Sequence, residues 1–279
     1  MNDPARDPLL AAGPLRGSDR RFFASLVLLG STYVGLLAAT LAADLLYTSP
    51  AHLARALASP EIRYAIRLSL VSCTLTTLLS LWVAVPIGYL LARVHFPGRS
   101  LVDALLDIPI VLPPLVIGLS LLILFQTPPG RAIERILPVT YAIPSVVLAQ
   151  FMVACAFAIR TLRATFDQLS PRHEQVALTL GCTRSQAFWM VAFPEARRGI
   201  LTAATLAWAR ALGEFGPILV FSGATRFRTE VLPTTVFLEL SVGNLEAAVA
   251  VSLLMVAAAV GVLLLIRTRG WESSLGRPL

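Results

Sequence analysis

Two opposite charges stand four residues apart inside an apolar run, Arg210 and Glu214 in the stretch R-A-L-G-E-F-G-P. Residues at this spacing share one face of an α-helix, so the two side chains can pair. A charge in the middle of a membrane-spanning helix is costly and normally faces protein or a water-filled cavity. Two interpretations stay open: the pair fixes helix packing, or it frames a path in which Arg210 attracts an anion.

Helix-breaking residues accompany these charges. Gly213 and Gly216 flank Glu214, and together with Pro217 they predict a close helix approach or a local break. Pro113 and Pro114 interrupt an earlier apolar run, where proline frees backbone carbonyls that only protein or water can satisfy. We therefore expect a kinked helix packed inside a bundle, either a simple bend or part of a path.

Several kinds of catalytic and cofactor site are excluded by the sequence. All 23 basic residues are arginine, so the lysine of a G-x-x-x-x-G-K-[ST] nucleotide loop is impossible. No Ser/His/Asp or H-E-x-x-H arrangement occurs, and Cys73, Cys155 and Cys182 have neither disulfide-framework nor zinc-site spacing. We predict a protein that is not itself an enzyme and has no cofactor or metal of its own.

The composition is that of a membrane protein. Of 279 residues, 56% are hydrophobic and 14% charged, whereas soluble domains carry nearer a quarter charged residues. The apolar residues form runs of about twenty, which is long enough to cross a bilayer. We predict an all-α integral membrane protein with about six transmembrane helices, within a membrane domain of residues 22–266. The six are placed at residues 22–46, 65–92, 101–125, 138–159, 199–221 and 245–266.

The arginines predict an orientation. The tails 1–21 and 267–279, the 93–99 turn and the 160–198 loop hold fifteen of them, while the other three loops and their margins hold seven. The positive-inside rule then places both termini and the 160–198 loop in the cytoplasm. The arginines lie between spans rather than on one face, which argues against a nucleic-acid partner.

The most structured polar segment runs from Ser170 to Pro194. Ser170 is a good N-cap, Pro171 suits the first helical position and Gly181 supplies a left-handed C-cap. Thr183 then caps a second helix, which Pro194 is expected to end. Isolated helices of this length are marginal in water, so a partner surface is expected.

This segment carries a family resemblance. E-Q-V-A-L-T-L-G, followed nine residues later by V-A-F-P, resembles the E-A-A loop of the membrane subunits of ABC importers. Glu174, Ala177, Gly181 and Pro194 fall on the motif, while Gln175 departs from its commonest form. The resemblance implies a type I importer permease fold, in which these residues form a coupling helix that docks into the ATP-hydrolysing subunit.

Two further stretches narrow the resemblance, which covers residues 65–266. A-R-A-L-G-E-F-G-P-I-L-V-F-S-G and D-I-P-I-V-L-P-P-L-V-I-G-L are similar to segments of the molybdate, tungstate and sulfate permeases. This implies a homodimer in the bacterial cytoplasmic membrane, with two ATP-binding subunits below and a periplasmic or lipid-anchored oxyanion-binding protein above. ATP would be bound by the partner subunit. Molybdate is the preferred anion, although selectivity would lie largely in the binding protein.

A stand-alone proton-coupled anion transporter is the alternative. Glu214 would carry the proton and Arg210 would bind the anion. Against it, no internal repeat of paired broken spans is visible, and only one carboxylate lies in mid-membrane. The capped 160–198 loop would also have no role in such a transporter.

Overall fold

The computed structural model describes residues 17–275, so the tail residues 1–16 and 276–279 lie outside the described part. The chain divides into two compact units, residues 1–49 and 50–279. The first unit contains helix α1 (Gly17–Tyr47), whose segment Phe22–Tyr47 is apolar and long enough to span a membrane. This helix contains the first predicted span and begins five residues earlier than expected.

The second unit is a helical bundle. Its elements, in chain order, are α2 (Pro50–Ala58), α3 (Pro60–Arg93), α4 (Arg99–Val111), α5 (Pro114–Gln126), α6 (Pro128–Ile136), α7 (Ile143–Gln168), α8 (Pro171–Thr179), α9 (Arg184–Ala187), a π-helical turn (Phe188–Ala192), α10 (Phe193–Leu212), α11 (Gly216–Phe221), α12 (Leu232–Ser241) and α13 (Leu245–Leu275). No strand occurs between residues 17 and 275, which confirms the all-α prediction.

Local signals explain where these helices begin. The Ser59 hydroxyl accepts a hydrogen bond from the Ile62 amide, and Pro60 with Glu61 opens α3. Proline is tolerated at that point because the first amides of a helix have no internal partner, and the acidic residue complements the helix dipole. Eight more helices also have proline at their first or second position: α2, α5, α6, α7, α8, α10, α11 and α12.

Helix α7 is the centre of the bundle and packs against both α3 and α10. Close approach is possible because small residues line the contact. Ala203, Ala207 and Ala211 recur at helical spacing on the buried face of α10. Gly88 of α3 lies so close to α7 that an added Cβ would be 3.0 Å from the Leu162 Cβ. In a membrane the hydrophobic effect does not drive helices together. Small residues allow close approach, so that the helices are held by van der Waals packing.

By length and composition the described helices account for four or five of the about six predicted membrane spans. Four helices within the described chain are long and apolar enough to cross a membrane: the Phe22–Tyr47 part of α1, α3, α7 and the Leu245–Leu264 part of α13. The third predicted span is a bent pair, α4 and α5, which would count as a fifth crossing. The fifth predicted span corresponds to α10 and α11. Helix α10 also contains Glu195, Arg197 and Arg198, so it is the least apolar of the predicted spans.

Three connections that the sequence suggested were plain loops contain helices. Residues 47–64 include α2, residues 126–137 include α6, and residues 222–244 include α12. The fourth predicted span, 138–159, is also shifted, because α7 runs from Ile143 to Gln168. Arg160 and Arg163 therefore belong to a membrane-spanning helix rather than to the following loop.

Candidate functional site

Helices α4 and α5 meet at an angle of 112°, and we call their junction, Leu112–Pro113, the proline break. Leu112 and Pro113 each precede a proline, which disfavours the helical conformation and favours extended backbone. Both residues adopt ψ angles of 142° and 133°. The expectation of a kinked helix is therefore corrected to two separate helices with a complete break between them. Helix α5 has buried residues inside the bundle, whereas α4 contacts α7 but has no fully buried residue.

Helices α10 and α11 are separated by a second interruption, residues 213–215, which we call the glycine break. Pro217 cannot donate an amide to the carbonyl of Gly213, and its ring would clash with that carbonyl in a continuous helix. Gly213 instead ends α10 by donating to the Ala209 carbonyl at 3.2 Å. The break predicted around Gly213, Gly216 and Pro217 is confirmed.

The two breaks pack against one another through glycine. A Cβ added at Gly216 would lie 2.9 Å from the Pro114 Cβ, and one at Gly118 would lie 2.8 Å from the Pro217 Cα. Such distances are shorter than real Cβ contacts, so a side chain at either position would force α5 and α11 apart. The structure thus brings Pro114 and the segment that bears Glu214 together, although Pro113 and Pro114 are both exposed.

Arg210 and Glu214 pair with each other across the glycine break. Arg210 Nη2 lies 3.0 Å from Glu214 Oε2, and the Arg210 guanidinium stands 5.7 Å from the centre of the Phe157 ring. The Glu214 side chain is buried, while that of Arg210 is 30% exposed. The two side chains pair with each other, as the first of the two interpretations expects. Of the two, only Arg210 is accessible from outside the protein.

Gln150 of α7 stabilises the glycine break and was missed by the sequence reasoning. Its side-chain amide donates to the Ala211 carbonyl at 3.2 Å, and its oxygen accepts from the Thr76 hydroxyl at 3.1 Å. The Ala211 carbonyl also accepts from the Glu214 amide at 3.2 Å, so Gln150 supplies a second donor to this carbonyl at the end of α10. The available signal was a glutamine within a predicted membrane span.

An ion cluster anchors α4 to α7. Arg160 donates to Asp103 Oδ1 at 2.8 Å and to the Asp103 carbonyl at 3.1 Å, and it also pairs with Asp107. Arg163 pairs with Asp103 as well. Asp103 and Asp107 lie four residues apart and Arg160 and Arg163 three apart, so each pair presents one helical face. That spacing was the signal for this contact in the sequence.

The predicted coupling segment folds largely as expected. Ser170 accepts from the Arg172 amide at 3.4 Å, and Thr183 forms a reciprocal capping box with Gln186. Gly181 has φ +93°, the left-handed conformation predicted for the end of α8. Gln175 is exposed and Ala177 half-buried on α8. These local hydrogen bonds confirm the first helix and its caps.

Pro194 does not end a helix, which corrects the sequence prediction. The backbone continues from α9 through the π-helical turn Phe188–Ala192 into α10, where Pro194 occupies an opening position. The Phe193 amide donates to the Phe188 carbonyl five residues back, so the turn is one residue wider than an α-helical turn. The widened turn accommodates a proline that would otherwise break the hydrogen-bond ladder.

Glu174 points into the protein rather than outward. Its carboxylate accepts from the Tyr89 hydroxyl at 2.5 Å and from Arg93 Nε at 2.9 Å. The outer surface of the segment is instead apolar: Val176 is 56% exposed and Leu180 80% exposed. An exposed apolar patch on a capped helix is typical of a surface that binds another protein. Tyr89 and Arg93 were not singled out from the sequence.

Comparison with known proteins decides the family. Residues 84–269 match the family described as the binding-protein-dependent transport system inner membrane component. The chain belongs to this family. This permease is 37% identical over 227 residues to a probable molybdenum ABC transporter permease protein of Haloferax volcanii, covering 80% of this chain and 82% of the relative.

A second relative is named for sulfate rather than for molybdenum. The permease is 32% identical over 222 residues to the sulfate transport system permease protein CysT of Escherichia coli, covering 78% and 79% of the two chains. Both relatives are ABC transporter or transport-system permeases, which is the type that the sequence motifs indicated. The chain is therefore a transport subunit and not itself an enzyme.

The fold has a solved counterpart. A chain in the crystal structure of a bacterial alginate ABC transporter, in complex with an alginate pentasaccharide-bound periplasmic protein, superimposes with a TM-score of 0.73. It covers 89% of this permease and 93% of that chain at 16% sequence identity. This confirms the type I importer permease fold, while the family match and the apolar helices support a multi-pass membrane protein.

Proposed function

We propose that this permease forms the translocation path of an ABC importer for a tetrahedral oxyanion, with molybdate as the first substrate to test. The support for this proposal is the geometry around Arg210 and Glu214 at the glycine break. A paired glutamate and a partly exposed arginine stand at a helix break, and glycine contacts hold that break against a second one. An arginine whose partner is buried can offer hydrogen-bond donors to an anion. The named relatives transport molybdenum or sulfate, so tungstate and sulfate are the competing substrates.

The power would come from a separate ATPase subunit that docks on α8 and the turn after it. The single observation that carries this proposal is the capped α8, with its exposed Val176 and Leu180 beside the motif residues Gln175, Ala177 and Gly181. The arginine distribution supports placing this end of the bundle, and both termini, in the cytoplasm. We further propose a homodimer, two ATPase subunits, and an oxyanion-binding protein on the opposite face.

The docking part of the proposal is tested by copurification. Leu180→Asp puts a charge at the most exposed apolar position of the segment, and we expect it to release the ATPase subunit from the purified complex. Ile136→Asp is the matched control, because Ile136 is 88% exposed at the end of α6. Equal retention of the ATPase by both variants would contradict docking at α8.

The substrate part is tested by uptake of radiolabelled molybdate into proteoliposomes that contain the whole complex, the binding protein and ATP. We expect uptake that requires ATP, with unlabelled tungstate and sulfate as competitors. Uptake driven by a proton gradient in the absence of any ATPase subunit would contradict the proposal and favour the stand-alone anion transporter.

A further inference from the structure

Glu174 is the one residue of α8 that is buried, although it carries a charge. Charged side chains are seldom buried unless they are paired. Glu174 is paired twice, since Tyr89 Oη donates to Oε2 at 2.5 Å and Arg93 Nε donates to Oε1 at 2.9 Å. Both donors lie near the end of α3, so this carboxylate ties the motif helix to a membrane-spanning helix.

A second layer of contacts extends this tie to the neighbouring elements. Arg93 Nη2 donates to the Leu169 carbonyl at 3.0 Å, at the connection between α7 and α8. The Tyr89 ring packs edge-on against Phe166 of α7 and Phe188 of the π-helical turn, with centroid distances of 5.4 and 4.7 Å. The Glu174 carboxylate on α8 is therefore bonded directly to α3. Through Tyr89 and Arg93 it is linked to α7, to the α7–α8 connection and to the π-helical turn before α10.

The two sides of α8 differ in what they can do. Val176 is exposed and apolar, and Gln175 beside it is exposed and polar. Glu174 lies on the side that faces the bundle and has its hydrogen bonds satisfied by this chain. A partner that docks on the exposed side would meet the apolar residues, and it would not meet the glutamate carboxylate.

We infer that Glu174 is a positioning residue that transmits displacement of α8 to α3 and α7, rather than a contact to the ATPase subunit. The inference rests on the proposed function. Charge-assisted hydrogen bonds are short and directional. A movement of α8 would therefore move the bonded residues of α3 with it. Helix α3 packs along α7, and α7 carries Gln150, which is bonded to the Ala211 carbonyl at the glycine break. The route from α8 to the break is thus a continuous series of contacts.

The test uses the complete complex in proteoliposomes with the binding protein. For Glu174→Ala we expect the ATPase subunit to copurify as in the wild type and ATP hydrolysis to continue. Molybdate uptake should fall at least about tenfold, a loss typical of removing charged hydrogen bonds. Asp167→Ala is the control, because Asp167 is a carboxylate near the end of α7 whose side chain is 47% exposed. It should keep wild-type uptake.

Tyr89→Phe gives a milder variant that retains the ring packing and removes only the hydroxyl donor. We expect it to lower uptake several-fold, without loss of the ATPase subunit. In the double variant with Glu174→Ala it should cause little further loss, because both changes remove the same contact. Fully additive losses would contradict the inference, and so would release of the ATPase subunit by Glu174→Ala.

These outcomes can be told apart from failure of the proposed function. If the wild-type permease retains no ATPase subunit, the importer proposal itself fails. If the wild type retains the subunit and imports molybdate, but Glu174→Ala and Tyr89→Phe import equally well, only the positioning role of Glu174 is overturned.

Discussion

The proline break and the glycine break interrupt two helices by different means. At the proline break two consecutive prolines force Leu112 and Pro113 into extended backbone, and the residues on either side are exposed. At the glycine break Glu214 is buried, while Gly213 is exposed and Phe215 is half-buried. The glycine break depends on Gln150 for hydrogen bonding and on Pro114 for packing space. The first break is made by local covalent constraint alone, whereas the second combines the constraint of Pro217 with contacts to the rest of the bundle.

This difference indicates which of the two breaks is more sensitive to substitution. A break that is imposed by proline rings persists when its surroundings change, since it does not rely on any contact. The glycine break has one such constraint, Pro217, but its packing also relies on a close glycine contact and on one buried amide. We therefore expect substitutions around the glycine break to have the larger effects, and the predictions below are ranked on that basis.

The largest effect is expected for Gly216→Val. The new Cβ would fall 2.9 Å from the Pro114 Cβ and 3.0 Å from the Leu115 amide nitrogen, so α5 and α11 would have to separate. Overpacking of this kind costs about 1–3 kcal/mol and sometimes more. We expect a lower yield of folded protein and loss of uptake, measured by gel filtration in detergent and by transport.

Gly213→Ala is the matched control for that variant. Atoms around an added Cβ at Gly213 lie no closer than 3.8 Å, and its φ of −82° suits any residue. We expect yield and uptake close to the wild type. If both glycine variants behaved alike, the close contact between the two breaks would not be the reason for the loss.

The second effect, in order of size, is expected for Gln150→Leu. This change removes two buried hydrogen bonds, the one to the Ala211 carbonyl and the one from the Thr76 hydroxyl, which together cost about 1–3 kcal/mol. We expect a lower Tm of the solubilised protein and weaker transport, measured by thermal unfolding and uptake. Gln126→Leu at the exposed end of α5 is the control, and a similar drop in that variant would show a general effect of losing glutamine.

A smaller effect is expected for Asp103→Asn, which weakens the ion cluster between α4 and α7. Asp103 is 26% exposed and shares two arginines, so we expect a loss of roughly 1 kcal/mol in the free energy of unfolding. A double-mutant cycle with Arg160→Gln measures the coupling between the two residues. Zero coupling would mean that the cluster does not hold α4 in place.

The smallest effect is expected for Pro113→Ala. Residue 113 would still precede Pro114 and would stay extended, so α4 and α5 would remain separate. We expect a change within about 0.5 kcal/mol of the wild-type stability, checked by the same thermal assay. A loss as large as that of Gly216→Val would show that the proline break also depends on its surroundings.

The sequence predicted what short-range chemistry determines. Ser170, Gly181 and Thr183 lie where their caps were expected, because each satisfies its hydrogen bonds within a few residues. The position of the glycine break was likewise predicted, because a proline cannot continue a helix. Pro194 was misjudged for a related reason: a π-helical turn provides an alternative to ending the helix, and its cost depends on packing.

What the sequence could not predict depends on distant partners. Glu174 was expected to face a docking partner, yet its donors come from Tyr89 and Arg93, more than eighty residues earlier in the chain. Gln150 meets the Ala211 carbonyl only because α7 and α10 pack closely. No spacing rule within one helix relates such residues, so the inward direction of these side chains required the tertiary structure.

The turn after α8 also offers a practical handle. Cys73 and Cys155 are buried, while Cys182 is partly exposed between Gly181 and Thr183, beside the surface proposed to bind the ATPase subunit. A thiol-reactive fluorophore should therefore label the native permease at this one position, without removal of the other cysteines. Its emission would then report association and movement of the coupling segment in real time, during turnover.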